Sequence, residues 1–180
     1  MFDNLIASLK KYFALLAVRR LAHRGNMELF DVNQSWHSVK RVLICWPFQG
    51  LDLQLGGVIL NHLENRFTEA VLTIVALPGV GASPMQTGME ILQLQPKDLN
   101  IWGLPNNRAR DRLRSLQADV AVDLSSKFDP RLAFLCLISG APIKVGFALP
   151  RSDLAFNYQV RPKRESSEID RYRALARYLG

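Results

Sequence analysis

Apolar and polar positions along this chain switch repeatedly between an extended and a helical period, and the switching lays out an α/β domain. The run Val42-Leu43-Ile44-Cys45-Trp46, with its β-branched residues, predicts a buried strand over 40–46. Pro47 and Gly50 then mark a loop. Leu55, Val58, Ile59, Leu63 and Phe67 recur at helical spacing, which predicts a helix over 54–67 with those residues on its inner face. Val71–Leu77 reads as the next strand, ended by Pro78-Gly79, and residues 78–105 are rich in Gly and Pro, with short strands expected at Glu90–Leu94 and Leu99–Trp102. A helix over 106–117 presents Ala109, Leu113 and Leu116 inward. Asp119–Leu124 is a buried strand, 130–138 an apolar helix closed by Ser139-Gly140, Ile143–Phe147 and Ala155–Val160 further strands, and 167–179 a last helix.

Ahead of this pattern, residues 3–23 predict a helix with Phe2, Leu5, Ile6, Leu9, Phe13 and Leu16 on one stripe and Lys10, Lys11, Arg19 and Arg20 mostly outside it. Gly25-Asn26 is a stop signal, and a short strand is expected at Glu28–Val32. Two roles for the helix stay open. Its stripe packs on the chain's own domain or a second subunit, or it lies on an anionic membrane surface.

Alternating strands and helices with continuous apolar central strands predict a Rossmann-like parallel sheet covered by helices on both faces. Ligands of such sheets sit beyond the carboxyl ends of the strands, so loops 47–53, 78–88, 125–129 and 148–153 form the expected functional rim. The chain has 180 residues, 48% hydrophobic and 22% charged, enough for one domain with a proper core. Its formal charge of +7 favours anionic company. That charge is uneven: residues 1–41 carry seven Lys/Arg against three acids, 42–100 two against five, and 101–180 fourteen against eight. Cys45 and Cys136 are the only cysteines, and both fall in apolar stretches, which indicates buried thiols in a reducing compartment. No apolar run is long enough to span a membrane, and basic residues break residues 1–24 as a signal peptide, so the expected location is cytoplasmic, with peripheral contact at the inner membrane.

The stretch Val42-Leu43-Ile44-Cys45-Trp46-Pro47-Phe48-Gln49-Gly50-Leu51-Asp52 resembles the opening of glycosyltransferase family 9, the ADP-heptose lipopolysaccharide heptosyltransferases. Members have an apolar strand, a loop ending in Gly-Asp, and a helix with Pro six residues after the Asp; here Asp52 takes the Asp position and Val58 the Pro position. Ala118-Asp119-Val120-Ala121-Val122-Asp123-Leu124 looks like the family's "YDLVIDL" strand, and Ile138-Ser139-Gly140-Ala141-Pro142-Ile143-Lys144-Val145-Gly146-Phe147 like its "LSGAPxRIGF" segment. Asp170-Arg171-Tyr172 through Leu179-Gly180 is similar to the helix before the interdomain crossover. The first loop departs from the family, with Leu51 before the Asp and Gly50 one place early.

The resemblance covers residues 38–180 and implies the N-terminal, acceptor-side domain of a GT-B glycosyltransferase, with residues 1–25 a basic amphipathic helix outside it. It further implies that the C-terminal nucleotide-sugar domain is absent, so the chain is expected to be a binding or assembly module, not catalytic alone, in lipopolysaccharide biosynthesis. The alternative is one half of a split or truncated transferase. The expected partners are an anionic membrane surface through residues 3–23, and a donor-domain polypeptide or a second copy of the chain.

Within that frame Asp52 is the candidate general base, since sugar transfer requires deprotonating an acceptor hydroxyl; its position suits a helix cap equally well. Gly50, Ser125, Ser126, Lys127, Arg131 and Arg151 are candidate acceptor-binding residues, because hydroxyls and cations at strand ends suit an anionic sugar. Asp129-Pro130 is also an ordinary helix start. No cofactor or metal is expected: His23, His37 and His62 lack metal spacing, and Gly79-Val80-Gly81-Ala82-Ser83 is not followed by the helix a phosphate loop needs. Arg108, Arg110, Arg112 and Arg114 make an arginine-dense helix that reads as a solvated face, without the aromatic interleaving of a nucleic-acid binder.

Overall fold

Val42, Leu43, Ile44 and Cys45 are consecutive and all buried, which a strand achieves only when both faces of its sheet are covered. The computed structural model shows how. It describes residues 2–23, 36, 38–47, 53–79, 88–163 and 167–179, with the side chains of residues 2, 3, 53 and 54 left out. The elements are α1 (Phe2–Ala22), β1 (Arg41–Cys45), α2 (Leu53–Arg66), β2 (Val71–Ala76), β3 (Glu90–Gln93), α3 (Asn107–Ser115), β4 (Val120–Asp123), α4 (Pro130–Ile138), β5 (Ile143–Phe147), β6 (Tyr158–Val160) and α5 (Glu168–Leu179). Single 3-10 turns fall at Pro96–Asp98 and Ser152–Leu154. The expected strand at Glu28–Val32 and the stop signal Gly25-Asn26 lie outside the described residues.

The six strands form one parallel sheet in the order β3-β2-β1-β4-β5-β6, the doubly wound Rossmann-like order. The chain winds outward from β1 to one edge, then returns to β4 and winds to the other. β1 and β4 therefore flank the point where the winding reverses. Side chains alternate across the sheet, so Leu43 and Cys45 share one face with their registered neighbours Ala121 and Asp123. That face meets α4, as the contact between Cys45 and Cys136 shows. α1 and α3 pack on α4, while α2 and α5 pack together on the other face. There the Tyr172 ring of α5 meets Phe147 edge-on, with centroids 5.6 Å apart, and the Arg66 guanidinium ends the α2–α5 contact on the Leu179 carbonyl at 2.9 Å.

Local chemistry explains the helix starts on the α4 side. The Asn106 side chain accepts from the Ala109 amide at 3.0 Å to cap α3, and the Asp129 carboxylate accepts from the Arg131 amide at 2.9 Å ahead of Pro130 in α4.

The inner faces differ from the sequence pattern in three places. Leu5, Ile6, Leu9 and Leu16, expected to face inward if α1 packs on its own domain, are exposed; α1 instead buries Ala14 and Val18 and stacks Phe13 on Trp102 with ring centroids 3.8 Å apart. The helix is apolar on two sides, and the smaller residues give the closer approach to α4. In α2, Val58 is 49% exposed and Leu60 is buried in its place, beside Ile59, Leu63 and Phe67. The expected strand at Leu99–Trp102 is a turn: the Asn100 side chain accepts from the Trp102 and Leu104 amides at 2.9 and 3.1 Å, and Gly103 takes a φ of 74°.

Candidate functional site

At the carboxyl end of β4, beside the end of β1, the apolar strand Val120-Ala121-Val122 terminates in a buried carboxyl, Asp123. Asp123 stands opposite Cys45 in the register. Its Oδ1 accepts from the Ser125 amide at 2.8 Å. Burial pushes its pKa up to about 7; the neighbouring Ser125 opposes that rise and the charge of Asp129 adds to it. A carboxyl poised there both donates and accepts at neutral pH.

Ser125 follows directly. The residue is only 7% exposed, and its hydroxyl lies against the Asp123 carboxyl, whose raised pKa it partly opposes. Ser126 is half-buried and interacts with the Tyr172 hydroxyl, which itself donates to the Leu124 carbonyl at 2.6 Å. α5 is thereby fastened to the end of β4. Burial raises the Tyr172 pKa, so the phenol stays a donor. Beside it, the Arg171 Nε is buried and has no hydrogen-bond partner among the described residues.

The cations at this end of the sheet are not equivalent. Lys127 is exposed. Arg131 is held by Asp129 through Nε at 3.1 Å and NH2 at 2.6 Å, which neutralises its charge locally. Arg151 is exposed beyond the end of β5, in a left-handed conformation with φ of 74° that opens the turn at Ser152–Leu154. The structure thus brings Ser125, Ser126 and Lys127 into the loop after β4, places Arg131 in the first turn of α4, and sets Arg151 after the adjacent strand. Gly50 and Asp52 lie outside the described residues, as do residues 80–87 of the glycine-rich connection.

The sequence reading gave no role to Asp123, Arg171 or Tyr172. For Asp123 the signal was present: it is the one ionisable residue in the run Val120–Leu124. Nothing local distinguishes Arg171 and Tyr172 from other helix residues, because their placement depends on how α5 docks.

A cavity of about 270 Å³ lies at the opposite, amino end of the strands, lined by Arg41, Val71, Thr73, Glu90 and Leu116 among others. Its polar groups are already engaged, Arg41 with Gln117 at 3.2 Å and Thr73 with Glu90 at 3.3 Å. Among the described residues no cluster of His, Cys, Asp or Glu is arranged to hold a metal, and no helix is long and apolar enough to cross a membrane.

The arginines of α3 have internal work. Arg110 donates to the Pro105 carbonyl at 2.9 Å and lies over the Phe134 ring, 5.0 Å from its centroid. Arg112 pairs with Asp98 at 3.7 Å, and Arg114 with Asp111 at 3.8 Å.

No protein-family model matches this chain, and no curated protein matches it. Among solved structures it is similar to the glycosyl transferase family 9 from Veillonella parvula DSM 2008, with 16% identity and a TM-score of 0.48. The overlap covers 78% of this chain and 41% of that one, so the chain spans about two-fifths of that protein's length. The functional assignment rests on this chain's own residues.

Proposed function

We propose that this chain is an acceptor-side unit of a GT-B glycosyltransferase of the heptosyltransferase type, binding a sugar acceptor that carries anionic groups. The observation that carries this reading is the buried Ser125 hydroxyl beside the poised Asp123 carboxyl at the reversal point of the sheet, with the Ser125 amide held by Asp123. An acceptor hydroxyl is a suitable partner for it, and the exposed Lys127 and Arg151 supply charge for phosphate groups beyond. The segments that resemble family 9 in sequence fall on β4 and on the turn from α4 into β5, the elements that frame this loop. Transfer requires a nucleotide-sugar-binding unit in addition to this sheet. Supplied with one, Asp52 is the proposed general base, in keeping with its place between β1 and α2 in the sequence.

Saturation-transfer NMR on the whole chain tests the binding, with a phosphorylated core oligosaccharide and its dephosphorylated form as probes. The expected result is transfer to the phosphorylated form, weakened about tenfold in affinity by Ser125→Ala, with Lys127→Ala removing the preference for phosphate. Absence of transfer, or indifference to both substitutions, overturns the reading.

A further inference from the structure

Among the described residues, the first three turns of α1 bury nothing. Every described residue from Asn4 to Tyr12 is exposed, and among them Leu5, Ile6, Leu9 and Tyr12 are 58%, 47%, 44% and 57% exposed. Leu16 extends the same line at 39%. The helix is nonetheless anchored further along, by Ala14 and Val18 against the core and by the stacking of Phe13 on Trp102. α1 is therefore held on the body through one side, with a row of large apolar side chains turned outward on the other.

The charges around that row decide what it meets. Residues 4–23 contain no Asp or Glu and carry Lys10, Lys11, Arg19 and Arg20, all exposed. At about 100° per residue, Lys10 and Lys11 lie about 130° to either side of the line through Leu5, Leu9, Tyr12 and Leu16, on the upper face of the helix when that line points down. Arg19 and Arg20 straddle its continuation towards the carboxyl end. Long cationic stems on both flanks of an apolar row can bend their charges upward to headgroups while the row enters the acyl boundary. A protein interface is ordinarily depleted in lysine at such positions. The amphiphilic Tyr12 also suits the boundary between headgroup and hydrocarbon.

We infer that α1 docks this protein on an anionic lipid surface, with Leu5, Ile6, Leu9, Tyr12 and Leu16 entering the bilayer boundary and Lys10, Lys11, Arg19 and Arg20 meeting phosphate headgroups. Docking of this kind lies parallel to the membrane plane and does not require a spanning segment. It is independent of any ligand at the rim.

Co-sedimentation of the full chain with vesicles tests the inference. The probes are phosphatidylcholine alone and phosphatidylcholine with about 30% phosphatidylglycerol, at low and high salt. The expected result is binding to the anionic vesicles at least about tenfold tighter than to the neutral ones, weakened by salt. Leu9→Glu with Leu16→Glu is expected to abolish binding while leaving the thermal melt unchanged, because both side chains are exposed. Lys10→Gln with Lys11→Gln is expected to weaken binding to the anionic vesicles alone. Equal binding to both vesicle types, no binding, or no effect of Leu9→Glu with Leu16→Glu overturns the inference. So does a stable dimer in light scattering that the same leucine substitutions dissolve, which assigns the face to a second copy.

Discussion

The Cys45 thiol on β1 lies 3.6 Å from the Cys136 thiol on α4, and both residues are fully buried. The sulfurs are well beyond the roughly 2.05 Å of a disulfide. The contact with Cys45, followed by burial, holds the Cys136 thiol well above its usual pKa. Native protein is therefore expected to leave both thiols unreactive toward a thiol-exchange reagent at pH 8, with both reacting once denaturant is added. Rapid labelling of either in the native state would show that α4 lifts from the sheet far more readily than its packing implies.

Asp123 makes stability depend on pH in a defined direction. A carboxyl with a folded-state pKa of about 7 prefers to be neutral when folded, whereas the unfolded chain ionises it near the ordinary aspartate value of 3.8. Stability from this group is complete below that value and is lost as pH rises through about 7, by on the order of 4 kcal/mol. Asp123→Asn keeps an oxygen for the Ser125 amide and carries no charge. Urea unfolding at pH 4 and pH 8 is expected to show the variant gaining on the wild type by that order. Parallel behaviour of the two proteins would mean that Asp123 is ionised in place.

Gly146 has no room for a side chain. A Cβ there would stand 2.6 Å from the Phe156 ring, although the backbone at Gly146 is unstrained. Gly146→Ala is expected to cost about 1–3 kcal/mol by overpacking, and adding Phe156→Leu to return part of it. Thermal melts of the single and double variants distinguish this from a conformational need for glycine, which the second substitution would not relieve.

The arginines of α3 should separate by what they touch. Arg110→Ala removes a hydrogen bond and a ring contact and is expected to cost about 1–2 kcal/mol. Arg108→Ala, at an exposed position, is expected to stay within about 0.5 kcal/mol. Equal effects in denaturant titrations would contradict the division.

These cases also show what the sequence could convey. β1 was legible because a strand covered on both faces is a nearly continuous apolar run, β2, β4 and β5 because theirs are broken only by Thr73, Asp123 and Lys144, and Asp129-Pro130 marked the start of α4 through its capping chemistry. Periodicity failed where a helix has apolar residues on more than one side. In α2 it chose Val58 over Leu60, and in α1 it found the apolar row but left its partner open, because spacing identifies a face but not what covers it. The Asn100 turn imitated a strand through Leu99, Ile101 and Trp102, and only the side-chain hydrogen bonds distinguish the two. At the rim the hydroxyls and cations could be read from their place after the strands. Their differences could not, because the pairing of Arg131 with Asp129 and the docking of Tyr172 are matters of distance.

The winding of the sheet has a consequence for synthesis. β1 is completed on its outer side by β4, and the Asp119 carboxylate at the start of that strand accepts from the Lys40 and Arg41 amides, 79 and 78 residues earlier. On the ribosome, β1 and β2 emerge first, and the central strand must wait with one edge open until most of the chain has followed. That edge is lined with the residues most prone to pair with the wrong neighbour. The nascent half-sheet is the form of this protein most exposed to mispairing.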